Sequence, residues 1–570
     1  MLLTFSLGCL DEGKQAESIF RHYLNQKTGM IRNHSKESSL ALWNVWISGK
    51  DTDYKKLINI ELDFNKLNRG NDEAFFPDNF STITRNVFTD EEDFDLLKKL
   101  KHSGLITDSL LSRQLTYLYH LFVGSQIGSD KYKKLLESQV KLSQSSGTLR
   151  YPIDDKIYNA QQLDSLRENS GDNQLLGKIT KAYQREAQKT APEIIRLVKN
   201  RNEIAIALGL PDYYHVQFES KDISVEKVKA LIDEIALMTG GPYLEAKEVI
   251  DKKLAKRFRI KVEELRPWHY NDVNKSYLPQ RFTLTLDSLL CSSEPVKRAA
   301  CFFDGIGLNI QSVIEKSELE NGTITSMVNI DFRNDIRMIG HITDTFGGLT
   351  EIMHLGGHAA HYTNISEDIP YLLQSPNLIV AEGVARYFEN LAYDRKWLGE
   401  VAAFDEKADK EVGLIMQHFW EVDRLFRIRK QMVKADFERE IYSNPDQDLD
   451  RLWSELNYKY LGIRYPDEKG ACFWATDKYL TSLPCYIQNY ILADIVAAQL
   501  KHAIDSRVLD GGSLKICNNK KVGEYLITNL FRYGDMVSWE KLIEKSTGEP
   551  LRAQYYVSGL IGNEEERKSQ

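Results

Sequence analysis

Two histidines and a glutamate stand at the spacing from which a metal centre can be built. Residues 347–362 read GGLTEIMHLGGHAAHY, which puts His354 and His358 four apart, and Glu382 follows in VAEGVARYFENLAYD. On an α-helix, residues four apart lie about 40° apart around the axis and about 6 Å apart along it, so both imidazoles can point at one ion. Two imidazoles and a carboxylate from the next helix form the three-ligand set that holds zinc with a position left open for chemistry. A blander reading of the same residues makes His354 and His358 satisfied core histidines with no metal.

The elements that must position this set are legible in the patterning. Around Arg333 and Asn334, the runs TITSMVNIDF and NDIRMIGHIT are rich in β-formers and predict an antiparallel pair of strands leading into the metal helix. After it, Ser375 and Pro376 open a second helix that carries Glu382. The first third of the chain reads as helices, with apolar residues at three and four spacing over residues 40–46, 54–67, 93–101 and 110–136. Residues 148–158 (TLRYPIDDKIY) predict a loop or a short strand. Residues 197–217 predict an amphipathic helix stopped by Gly209 and Pro211, with Tyr213, Tyr214 and His215 after it as packing residues. The apolar run at 472–502 predicts a buried helix that Pro484 starts or kinks. The fold class is predominantly α-helical with one small antiparallel sheet. Beyond an N-terminal segment at 1–20, no linker signal divides residues 21–570, which read as a single domain of two helical halves with the metal-site region at 325–395.

Bulk properties narrow the function. The chain has 570 residues, 42% of them hydrophobic and 27% charged, with 74 basic against 82 acidic side chains and a net charge of −8. That balance leaves no basic stripe for nucleic acid, and no apolar run is long enough to span a membrane. Six cysteines without CxxC spacing argue against a zinc ribbon or a disulfide framework. The N-terminal MLLTFSLGC reads either as the remnant of a lipoprotein signal ending at Cys9 or as the apolar start of a first helix. The first reading implies an extracytoplasmic or lipid-anchored protein, the second a cytoplasmic one. Oligomeric state is not encoded in any pattern.

The sequence resembles a family at this point: the gluzincin zinc peptidases that include angiotensin-converting enzyme, with a secondary resemblance to thimet-type oligopeptidases. It is carried by DFRNDIRM before the metal helix, by His354, Gly357 and His358 with AAHY after them, and by AEGVARYFENLAYD. KNRNEIAIALGLPDYY and YLITNLFRYGDMVSWEKLIEKSTGEPL add to it. The resemblance implies a two-lobed helical fold with a deep central cleft for an extended peptide, and one zinc ion held by His354, His358 and Glu382. It implies that Glu389, two turns after Glu382, orients a histidine ligand; the alternative for Glu389 is a surface residue. It places the strand Thr325, Ser326, Met327, Val328 and Asn329 on the cleft wall, where a peptide adds as a further strand. Tyr490 is the best match to a tyrosine that stabilises the oxyanion, with Tyr486 and Tyr479 as further candidates.

Two departures bear on activity. In the family's HExxH motif the glutamate is the general base, and here that position is Leu355, which has no atom that accepts a proton. The family also uses a histidine in the later helix to stabilise the oxyanion, whereas residues 419–501 contain none. Glu351, one turn before Leu355, starts about 6 Å from the usual base position, against the about 3 Å that a base requires. His361 is the other candidate substitute. The leading expectation is therefore a zinc-peptidase-like protein that binds extended peptides and is catalytically impaired. The alternative is an active peptidyl-dipeptidase or oligopeptidase in which another group serves, or in which Leu355 was introduced to trap substrate.

Overall fold

The computed structural model describes residues 2–48, 50, 52–53, 56–57, 90–123, 126, 142, 150–270, 286–287, 294–322, 324–332, 334–402, 405–466, 470–476 and 479–561. Most of the expected helix at 54–67, the extension of residues 110–136 beyond Val123, and Arg333 lie outside these residues. Helices dominate, and among the described residues none is long and apolar enough to cross a membrane.

Helix α1 (Leu2–Ser48) is followed by α2 (Glu91–Ser103) and α3 (Ser109–Val123). Asp90 caps α2 by accepting from the amides of Glu92 and Asp93, and Gly104, at φ 63°, closes it. These three helices share a small apolar core built on Phe20, Leu97, Leu115 and Leu118. Strands β1 (Tyr151–Ile153) and β2 (Lys156–Tyr158) form a hairpin with Tyr151 opposite Tyr158. Residues 148–158, expected as a loop or a single short strand, thus make a second two-stranded sheet where one sheet was expected. The pairing is local: Asp154 turns the chain at φ 50°, and Tyr151 and Ile153 face inward onto Leu163 and Ile179.

The larger core runs through α4 (Asn173–Ala207), α5 (Pro295–Gly305), β3 (Ser326–Asn329), β4 (Ile336–Ile339), α6 (Phe346–Thr363), α7 (Leu378–Leu391), α8 (Leu425–Ser443), α9 (Ile487–Arg507) and α10 (Ala553–Ile561). α4 ends at Ala207, before Gly209 at φ 79°. Tyr213 and Tyr214 are buried in the core, and α9 begins three residues after Pro484. β3 and β4 pair antiparallel, with Ser326 opposite Ile339 and Asn329 opposite Ile336. The far edge of β4 is occupied by a parallel bridge from Glu318 to Ile339. The outer edge of β3 has no backbone partner among the described residues. Trp43 of α1 packs on Val328, Ile330 and Ile339, while Lys36 reaches Asp331 at 2.8 Å, so α1 lies across one face of this hairpin.

Both strands pack on α6, whose start is fixed by Thr345 accepting from the Gly348 amide at 3.1 Å. The adjacent glycines of HLGGH would each cost about 1 kcal/mol relative to alanine in an isolated helix. Here they let α6 lie between two neighbours at close range. A Cβ on Gly356 would sit 2.4 Å from the Phe303 ring of α5, and one on Gly357 would sit 2.9 Å from the Ala385 backbone of α7. Gly356→Ala is expected to destabilise the fold by about 1–3 kcal/mol through overpacking, read as a lower urea midpoint at unchanged m-value.

Candidate metal centre

His354 and His358 project from one face of α6, and Glu382 comes from the first turns of α7, which packs alongside. Glu382 lies 3.9 Å from each imidazole, through Oε2 to His354 Nε2 and through Oε1 to His358 Nε2. The ligand atoms of all three residues fall within 4.8 Å of one another, and they are the one such group among the described residues. Donors about 2.0–2.1 Å from a tetrahedral ion lie about 3.3–3.4 Å apart, so the cluster closes by about 0.5–1.5 Å to take an ion. Side-chain exposure is 22% for His354, 11% for His358 and 14% for Glu382, which leaves the imidazole of His354 the most open.

The protonation states suit a metal. Glu389 Oε2 lies 3.0 Å from His354 Nδ1. An ionised carboxylate only accepts, so Nδ1 donates to Glu389, and Nε2 is turned towards Glu382. Burial, reinforced by His354 and His361, pushes His358 well below the ordinary histidine range, so its ring is neutral. Among the described residues, buried Nδ1 of His358 has no hydrogen-bond partner of the kind that Glu389 gives His354. The donor set, two imidazoles and one carboxylate, fits zinc.

A second layer surrounds Glu389. Arg386 Nη1 donates to both of its oxygens, at 2.8 and 2.7 Å, and Arg424 stands 3.9 Å away. Burial works to raise the Glu389 carboxyl, but the His354 hydrogen bond and the charge of Arg386 prevail and hold it below the carboxylate range. Asp494 of α9, 2% exposed, faces Arg424 Nη1 at 3.6 Å and Arg386 Nε at 3.9 Å. A π-helical turn, Phe419–Arg424, delivers Arg424 inward, where its guanidinium lies 5.0 Å from the Phe419 and Trp420 rings.

Leu355 is 1% exposed and belongs to the core, beside the end of β4, where a Cβ on Gly340 would meet it at 3.8 Å. Glu351 is exposed on the same helix; partial desolvation raises its carboxyl against the pull of His341 and His354. His361 is completely buried, stacks on Phe531 at 4.7 Å and is pushed down to about 3 by burial, a neutral core residue. His502, the first histidine after the gap, stacks on Tyr555 at 4.3 Å.

The three tyrosines come together beside Glu382. Tyr486 and Tyr490 meet edge to face at 5.1 Å, and Tyr490 and Tyr479 are hydrogen-bonded. Burial pushes Tyr490 up to about 12, with Tyr479 and then Glu382 adding to the effect, and raises Tyr486 further, again with help from Glu382. Along the edge strand, Thr325 is exposed, Ser326 and Met327 are half-buried, and Val328 is buried under Trp43. Asn329 Oδ1 is buried and has no hydrogen-bond partner among the described residues.

Sequence reasoning missed four residues of this centre: Tyr362, Arg386, Arg424 and Asp494. Two carried a signal. Tyr362 is four residues past His358 on the same face, and its phenol, bonded to Ser375, is pushed up to about 12 by burial with Glu382 adding to it. Arg386 is four after Glu382 and three before Glu389. Arg424 and Asp494 are distant in sequence and carried none.

A predominantly helical body brings His354, His358 and Glu382 into one cluster, a donor set of the kind that zinc peptidases use. Residues 427–562 match the family model described as carboxypeptidase Taq (M32) metallopeptidase, a group of gluzincin-type zinc peptidases. The matched segment holds the tyrosine cluster, Asp494 and Arg427, which faces Asp494 at 3.9 Å, and it lies wholly C-terminal to the three cluster residues. No curated protein matches the chain.

Proposed function

We propose that the chain binds one zinc ion through His354, His358 and Glu382, takes an extended peptide along the free edge of β3, and has lost most or all peptidase activity. Support comes from the carboxypeptidase Taq (M32) match over residues 427–562 and from the sequence resemblance to the converting-enzyme group of gluzincins, with thimet-type oligopeptidases second. The observation that carries the reading is Leu355, an apolar side chain sealed in the core where the family has its proton acceptor. Of the nearby described carboxylates, Glu382 belongs to the metal cluster and Glu389 is engaged by His354 and Arg386.

Zinc bound here would supply Lewis-acid polarisation of a peptide carbonyl. The chain's own residues contribute binding and orientation. The outer amides and carbonyls of β3 offer a peptide backbone hydrogen bonds, and Tyr490 and Tyr486 present phenols beside Glu382. Without a group to take and return a proton, turnover falls by about 10²–10⁴-fold.

Atomic absorption on purified protein is expected to give about one zinc per chain, the stoichiometry of a three-ligand site, and a quenched-fluorescent peptide is expected to bind without being cleaved. Absence of zinc after incubation with excess metal would overturn the metal reading. Chelator-sensitive cleavage by the unmodified chain would overturn the loss of activity. The second reading, an active peptidase, rests on Glu351, whose exposed carboxyl is raised and feels His354. In that case Glu351→Gln abolishes turnover while zinc content stays unchanged.

A further inference from the structure

We infer that Arg386 is a positioning residue for the metal centre, acting through Glu389 to hold His354 in its ligating orientation. The inference deepens the zinc reading above and rests on it. Helix α7 places Glu382, Arg386 and Glu389 at steps of four and three, along one stripe of its surface. The first reaches the cluster, the third reaches His354, and the cation between them ties the third down.

The geometry is specific. Arg386 Nη1 contacts both carboxylate oxygens of Glu389, and one of those oxygens, Oε2, is also the partner of His354 Nδ1 at 3.0 Å. With two contacts from one side, the carboxylate cannot rotate away without leaving a buried charge unpaired, which is costly. Arg386 is itself fixed. Its guanidinium lies 5.7 Å from the Tyr490 ring, and its Nε faces Asp494 Oδ1 at 3.9 Å. Asp494 in turn faces Arg424, whose Nη2 is held by Asn390 at 2.7 Å. Glu389 and Asp494 are thus offset by Arg386, Arg424 and Arg427, which faces Asp494 Oδ2 at 3.9 Å. The chain of contacts from α9 through Arg386 to His354 also explains how the C-terminal half of the protein, where the family match lies, bears on a cluster built in the middle of the sequence.

A role confined to folding would move stability alone, so the test reads zinc affinity and apo stability separately. Zinc affinity is measured by competition with a chromophoric chelator for the unmodified chain, Arg386→Gln, Arg386→Lys, Glu389→Gln and the Arg386→Gln/Glu389→Gln pair. Apo melting temperature is recorded for each. Arg386→Gln and Glu389→Gln are each expected to weaken zinc by about 10–100-fold, the usual cost of losing the partner that orients a histidine ligand. Arg386→Lys retains the charge without the planar fork and is expected to recover part of the loss at an unchanged apo melting temperature. The double variant is expected to be no weaker than the poorer single variant by more than about threefold, because the two residues act in series.

Zinc affinity within twofold of the unmodified chain in Arg386→Gln would overturn the inference while leaving the metal reading intact, and so would losses that multiply in the double variant. If Arg386→Gln fails to fold, Arg386→Lys decides alone: unchanged affinity in a folded Lys variant, together with a loss in Glu389→Gln, removes Arg386 from the role. An unmodified chain that binds no zinc overturns both readings together, an outcome distinct from either result above.

Discussion

Replacing His354 or His358 by alanine is expected to abolish stoichiometric zinc, lowering the metal content of purified protein from about one ion per chain to the background of the buffer. Zinc held by a full protein ligand set is bound with about 10–16 kcal/mol of apparent free energy, so each ligand averages about 3–4 kcal/mol, or about 10²–10³-fold in affinity. The fold is expected to outlast the loss of His354 better than that of His358. His354 is the most open of the three, and its removal leaves the Glu389 carboxylate with the donors of Arg386. The His358 ring is more enclosed than that of His354, and truncating it leaves a cavity as well as an empty ligand position. Zinc content by atomic absorption together with apo melting temperature checks both halves of the prediction. A His358→Ala protein that retains one tightly held zinc would place the metal elsewhere.

Leu355→Glu is expected to lower stability by about 3–5 kcal/mol and to restore little peptidase activity. The side chain it replaces is 1% exposed and packed beside the end of β4. The change forfeits about 1.5–3 kcal/mol of apolar burial and adds the cost of enclosing a carboxyl without a partner. Activity stays low for an independent reason. No histidine occurs in residues 419–501, and under the proposed function a developing oxyanion would have only Tyr490 and Tyr486, whose raised phenols donate but carry no positive charge. Urea unfolding reads the first effect, and chelator-sensitive turnover of a fluorogenic peptide reads the second. Turnover rising by about 10²-fold or more, the scale of a restored general base, would show that a tyrosine suffices for the oxyanion.

Much of the centre was legible before the fold was known, because its parts are local. The four-residue step between His354 and His358 survives as two imidazoles on one face of α6. Glu389, seven residues after Glu382, has two readings in the sequence, a surface residue or a partner for a histidine; it is half-buried and bonded to His354 Nδ1. The hairpin β3–β4 follows from β-rich runs around a polar turn. The hairpin at Tyr151–Tyr158 reads in the sequence as a loop or a short strand, because two three-residue strands are too short to establish a period of two. The paired glycines, which look like a fault inside a helix, become intelligible once Phe303 and Ala385 are seen pressed against them.

The sequence alone determined the ligand types, their helical spacing, the absence of a carboxylate at position 355, and the absence of a histidine over residues 419–501, since each is a property of residue identity and short-range geometry. Only the tertiary structure decided which face of α6 meets Glu382, that Leu355 is sealed in the core, and that Arg386, Arg424 and Asp494 stand behind Glu389. Those relations join residues up to 140 positions apart, from His354 to Asp494. They depend on helix packing and on the pairing of buried charges in a low-dielectric interior, neither of which leaves a periodic trace along the chain.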